Sequence, residues 1–220
     1  MFAGHIGAAL AIGRAEPRVN VGVFVAAALL PDLLLWVFVL LGCESVSIPA
    51  DFADTHQALF TFPYSHGLLA SFFWSALAGV FAFFIYSSVE GKWRVAALVA
   101  AAVLSHWALD AIVHRPELPL LGPASRSVGA GLWNHMRAAL SLEASIVIVG
   151  LWLFISGTAL TRARSFALVA LTLLTLIFTA AGMTLAPAPP SAAAMAISSL
   201  ATLALVCAAA YWCGRLPSRV

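Results

Sequence analysis

Six stretches of this chain are apolar over about 20 residues, the length a helix needs to cross a bilayer. They are Val19 to Leu41, Tyr64 to Ser88, the run ending near Val113, Leu132 to Ile155, Ser165 to Leu185 and Ser191 to Tyr211. No soluble domain of 220 residues tolerates that pattern. The composition agrees, since 9% charged residues is far below the quarter usual in soluble domains. The sequence therefore predicts an all-α, polytopic membrane helix bundle of about six transmembrane helices. A further apolar run over residues 3–13 is too short to span and predicts a half-helix or re-entrant segment. Arg14 and Arg18 follow that run instead of preceding it, the wrong order for a cleaved signal peptide.

The expected organisation is a single membrane domain in two parts. Residues 1–155 carry nearly all the polar residues within apolar runs, and residues 156–220 add two transmembrane helices without a histidine or an internal charge. Basic residues are scattered in ones and twos, so nothing points to nucleic acid; the expected partner is membrane lipid. Cys43, Cys207 and Cys213 form no CxxC pair or zinc-knuckle spacing. Counting alternate loops, one side holds Arg14, Arg18, Lys92, Arg94, Arg162, Arg164, Arg215 and Arg219. The other holds Arg115 and Arg126, with Arg137 just inside the next helix. The positive-inside rule places the richer side in the cytoplasm, which implies a bacterial cytoplasmic membrane and long loops facing outward.

Ionisable residues inside apolar spans are costly and are by default a functional hypothesis. Ser105-His106-Trp107-Ala108-Leu109-Asp110-Ala111-Ile112-Val113-His114 spaces His, Asp and His by four, on one helix face. Pro31-Asp32 interrupts the first span, where a proline kinks the helix and frees a carbonyl. His66 follows Ser65 at the start of the second span, Glu143 lies inside the fourth, and His5 lies in the short first run. Counting from the helix ends, Asp32, His106 and Glu143 fall roughly 12–17 Å deep, with Asp110 and His66 nearer the outer surface. His5 also falls near mid-depth. Imidazole and carboxylate together form the ligand set of zinc, with manganese and iron as alternatives. An ion in such a site makes water a nucleophile near neutral pH, and a carboxylate outside the ligand set can act as general base. His56, His114 and His135 fall at loops or boundaries, and the tryptophans suit interfaces or packing.

These motifs, taken together, resemble an uncharacterised bacterial family of integral-membrane proteins related to the membrane-bound metal-dependent hydrolases. The resemblance covers residues 1 to about 155. It implies a metal site of His5, Asp32, His66, His106 and Asp110, with Glu143 close by in a catalytic role. The hydrolase-named members carry Leu-Pro-Asp-x-Asp and His-x-x-x-His-Ser; here Asp32 is followed by Leu33 and Leu34, and only Ser65-His66 remains. The loss of one carboxylate and one imidazole favours one ion over two. The expected function is a metal-dependent hydrolase opening to the outer face, with a lipid or lipid-linked substrate. A transporter built on broken helices and a structural protein with a polar cluster are the alternatives, and the absence of matched broken segments in residues 156–220 disfavours transport.

Overall fold

The computed structural model describes residues 1–215; Arg219 of the charge count lies outside them. Nine α-helices make up about two thirds of the described residues: α1 (Phe2–Gly13), α2 (Val21–Ala28), α3 (Leu30–Leu40), α4 (Phe52–Thr55), α5 (Leu68–Ile85), α6 (Lys92–Val113), α7 (Met136–Ser156), α8 (Arg162–Thr184) and α9 (Ala192–Cys213). Two short antiparallel hairpins accompany them, β1 (Ser45–Ser47) with β2 (Leu59–Thr61) and β3 (Leu118–Pro119) with β4 (Ser127–Val128). Five helices are long and apolar enough to span a membrane, and α2 with α3, bent by 47°, is apolar enough as a pair to make a sixth, broken span or a re-entrant segment. The protein is thus an all-α membrane bundle, and α1 is the short helix expected at its start.

Apolar side chains fill the core and also cover the outside of the bundle. Large apolar side chains such as Phe84, Trp152, Phe166 and Leu185 project from the bundle, Phe166 with 76% of its surface exposed. The faces turned inward also carry small and polar residues, among them Ser71, Ser75, Thr172 and Thr175. That arrangement suits lipid, where apolar contact with the surroundings is free of the penalty it meets in water.

Two features of the packing position the site. First, α1 crosses α7 backbone to backbone at Gly7 and Gly150. A β-carbon on Gly150 would overlap the Gly7 carbonyl, and one on Gly7 would meet the backbone of Ile146 and Val147. This is the small-residue contact that lets membrane helices approach closely. Second, the break between α2 and α3 falls at Leu29, just ahead of Pro31. Proline is compatible with a first helical turn, so the chain breaks before it and restarts with Pro31 and Asp32 in the first turn of α3.

The last two helices are integral to the bundle. Gly22 of α2 sits against the Tyr211 backbone, so α9 packs directly on the broken span, and Asn20 donates to the Tyr211 carbonyl. Thr161 and Ser191 cap α8 and α9 through the amides of Arg164 and Ala194. At the end opposite the hairpins, Arg18 holds Glu16 at 2.6 and 2.9 Å, and this pairing lowers the Glu16 carboxyl from its ordinary range.

Candidate metal centre

Four segments deliver the five expected ligands to one place near the hairpin end. His5 comes from the start of α1, Asp32 from the first turn of α3, and His106 and Asp110 from the last turns of α6. His66 stands in the turn two residues ahead of α5, which begins at Leu68 instead of at Tyr64 as the apolar run suggests. Gly67 is extended and adopts the helix N-cap position, so the chain reaches the centre before it turns into the bilayer.

Asp110 is the hub. Its Oδ1 lies 3.1 Å from His5 Nε2 and 3.1 Å from the Met1 amino group. Its Oδ2 lies 3.1 Å from His106 Nε2 and 3.6 Å from the Nε2 atoms of both His66 and His114. Asp32 Oδ1 approaches His66 Nε2 at 3.4 Å and His106 Nε2 at 3.7 Å. His5 stacks on His106, ring centres 3.7 Å apart and nearly parallel. All but Asp32 are buried.

The outward nitrogens of three imidazoles are engaged. His106 Nδ1 lies 2.7 Å from the Ala28 carbonyl, which can only accept, so Nδ1 carries the proton. His114 Nδ1 lies 2.7 Å from Glu117 Oε1 and donates likewise. Ser65 gives its hydroxyl hydrogen to Glu44 Oε2 at 2.7 Å, leaving its oxygen to accept from His66 Nδ1 at 2.8 Å. Glu44 is fixed in turn by the amides of Tyr64 and Ser65. Burial pushes the His114 imidazole below its ordinary pKa, which keeps the ring neutral.

The consequence is geometric. With their protons on Nδ1, His66 and His106 point Nε2 lone pairs at each other across 3.1 Å, beside two carboxylates. Such a set of acceptors is stabilised by a proton or a cation among them, and the Met1 ammonium meets it at Asp110 Oδ1. Outward hydrogen bonds that fix the tautomer and aim the lone pair are what metal-binding histidines use. His5 Nδ1 adds a buried nitrogen without a hydrogen-bond partner. Two triads have ligand atoms within 4.8 Å of one another, His5-Asp32-His106 and His66-His106-Asp110, so the group could hold a metal ion.

Glu143 is buried on α7 and lines the same cavity as Asp32, His66 and Asp110. Its Oε2 accepts from the Gly4 amide at 3.1 Å, tying α7 to the first turn of α1. The structure also brings in residues that the sequence left aside. His114, read as a boundary residue, faces Asp110, and Trp133 leans over its ring at 4.1 Å. His135 is exposed. His56 lines the cavity and its Nδ1 hydrogen-bonds the Ala186 carbonyl at 2.9 Å, joining the outer loop to the α8–α9 turn. Glu117 was findable from its spacing of three after His114; Glu44 was not, because it lies in a loop far from any other motif.

No family model, curated protein or solved structure matches this chain.

Proposed function

We propose that the protein is a membrane-embedded metal-dependent hydrolase of the bacterial inner membrane, its centre opening toward the outer face. The observation that carries this reading is the convergence of imidazole nitrogens beside two carboxylates, with the His66, His106 and His114 rings each held from behind. A mixed nitrogen and oxygen donor set suits zinc first, then manganese or iron. The two triads share His106, whose only free nitrogen is Nε2, so they describe alternative ligand sets for one ion. Such an ion, when bound, supplies Lewis acidity that polarises a substrate carbonyl and activates water near neutral pH.

The chain's own residues divide the remaining work. Asp110 and Asp32 balance the positive charge, and the stack of His5 on His106 restrains both rings. Glu143, on the cavity wall, takes the proton from the attacking water. Its Gln variant retains an oxygen for the Gly4 amide, so fold and ion content should persist while turnover falls about 10²–10⁴-fold. The position of the centre within the bilayer favours a lipid or lipid-linked ester as substrate.

The deciding experiment is elemental mass spectrometry of the detergent-purified protein beside His106→Ala and Asp110→Asn. A stoichiometric transition metal, lost in both variants with helicity unchanged, is the expected result. Protein without metal after reconstitution with zinc, manganese and iron would leave the cluster as a structural polar network and sink the hydrolase reading.

A further inference from the structure

A cavity of about 510 Å³ opens from the centre, within the range of small-ligand sites. Asp32, His66, Asp110, His114 and Glu143 supply its charged and ionisable lining. A wall from α8 and α9 is lined by Phe178, Met183, Met195 and Leu203. Three of the four hydroxyls in that wall are turned to their own helices. Thr179 donates to the Thr175 carbonyl at 2.8 Å, Ser198 to Met195 at 3.0 Å and Thr202 to Ser198 at 2.9 Å. Those three hydrogens are therefore engaged, the Ser199 hydroxyl is the one polar group of the four without such a bond, and the wall offers chiefly carbon.

The ionisable lining and the apolar wall together call for a molecule of the same two-part character. We propose that the cavity holds one acyl chain of an ester lipid, its carbonyl presented to the His/Asp centre and its methylenes lying along α8 and α9. This inference rests on the hydrolase reading for the reaction, and on the cavity alone for the chain. In the reaction, water's oxygen bonds to the acyl carbon and the carbon–oxygen bond to the alcohol breaks. The alcohol oxygen takes up a proton, and a free fatty acid and an alcohol leave. The cavity's size fits one chain, so the two chains of a diacyl lipid would not enter together.

Gly182 gives the proposal a lever. It lines the cavity, and a β-carbon there would meet no atom within 4 Å. A large side chain at this position can thus occupy the cavity without displacing the protein, and Gly182 lies on α8, a helix that carries none of the candidate ligands.

The test uses a long-chain fatty acid bearing a photoreactive diazirine, with labelled residues mapped by mass spectrometry in wild type and in Gly182→Trp. Labelling is done with and without added zinc, and hydrolysis of monoacyl esters of graded chain length is followed in parallel. The expected result is labelling on Phe178, Met183, Met195 or Leu203 that Gly182→Trp abolishes. Affinity for long chains should fall about fourfold per methylene excluded. The preferred ester should shorten while ion content stays unchanged. Labelling elsewhere, or labelling and length preference that Gly182→Trp leaves alone, would overturn the acyl-chain pocket even if the protein hydrolyses esters. Cavity labelling lost in Gly182→Trp, but without ion or turnover, would keep the pocket and overturn the hydrolase.

Discussion

Ser65 is the residue whose removal tests the centre most cleanly, because it touches no candidate ion. It sits between His66 Nδ1 and Glu44 Oε2 and fixes which nitrogen of the ring carries the proton. Ser65→Ala leaves all five expected ligands in place but frees His66 to rotate or change tautomer. Metal affinity should fall about 10–100-fold, the range for partners that orient a ligand from behind. Competition against a chelating fluorophore reads this directly, and an affinity equal to wild type would mean that His66 is not a ligand. The residues that meet at the centre were legible as a cluster from local signatures: a spacing of four puts His106 and Asp110 on one face, and a proline precedes Asp32. The residues behind them were not. The Ala28 carbonyl that orients His106 belongs to a residue without a polar side chain, and Glu44 reaches Ser65 across a loop whose path no periodicity encodes.

Among the elements, α1 depends most on a single contact. It is held to α7 by the Gly7–Gly150 crossing and by the Gly4–Glu143 hydrogen bond, and it carries His5 to the centre. Gly150→Leu would force the two backbones apart. We expect a loss of about 1–3 kcal/mol, as for other overpacked contacts, together with loss of bound metal as His5 moves away. Thermal unfolding in detergent with metal analysis on the same sample tests both; Gly182→Ala, with open space around it, is the control that should change neither. The six long apolar runs appear as five spans and one broken pair, so span number was readable from length and hydropathy. The break at Leu29 was readable only approximately, since proline marks where a helix restarts and leaves the exact break to tertiary packing. The part played by α8 and α9 was hidden altogether. A cavity wall made of Phe, Met, Leu and self-bonded Thr has the same composition as a face turned to lipid.

At the scale of the molecule, the hairpins and the centre share one end of the bundle, and the positive-inside rule applied to the basic residues predicts that this end faces outward. Cys43 lies in this region and is exposed, whereas Cys213 is buried and Cys207 partly so. A membrane-impermeant maleimide added to intact spheroplasts should therefore label Cys43, and a Cys43→Ser variant should remain unlabelled. Labelling that needs prior lysis would reverse the orientation. The division of labour between helices has a consequence for descent. The candidate ligands lie between His5 and His114, while much of the surface that would distinguish one substrate from another lies beyond residue 177. Changes in α8 and α9 could then accumulate without touching the ion, so lineages sharing the first part of the chain would keep the reaction and diverge in the molecules they act upon.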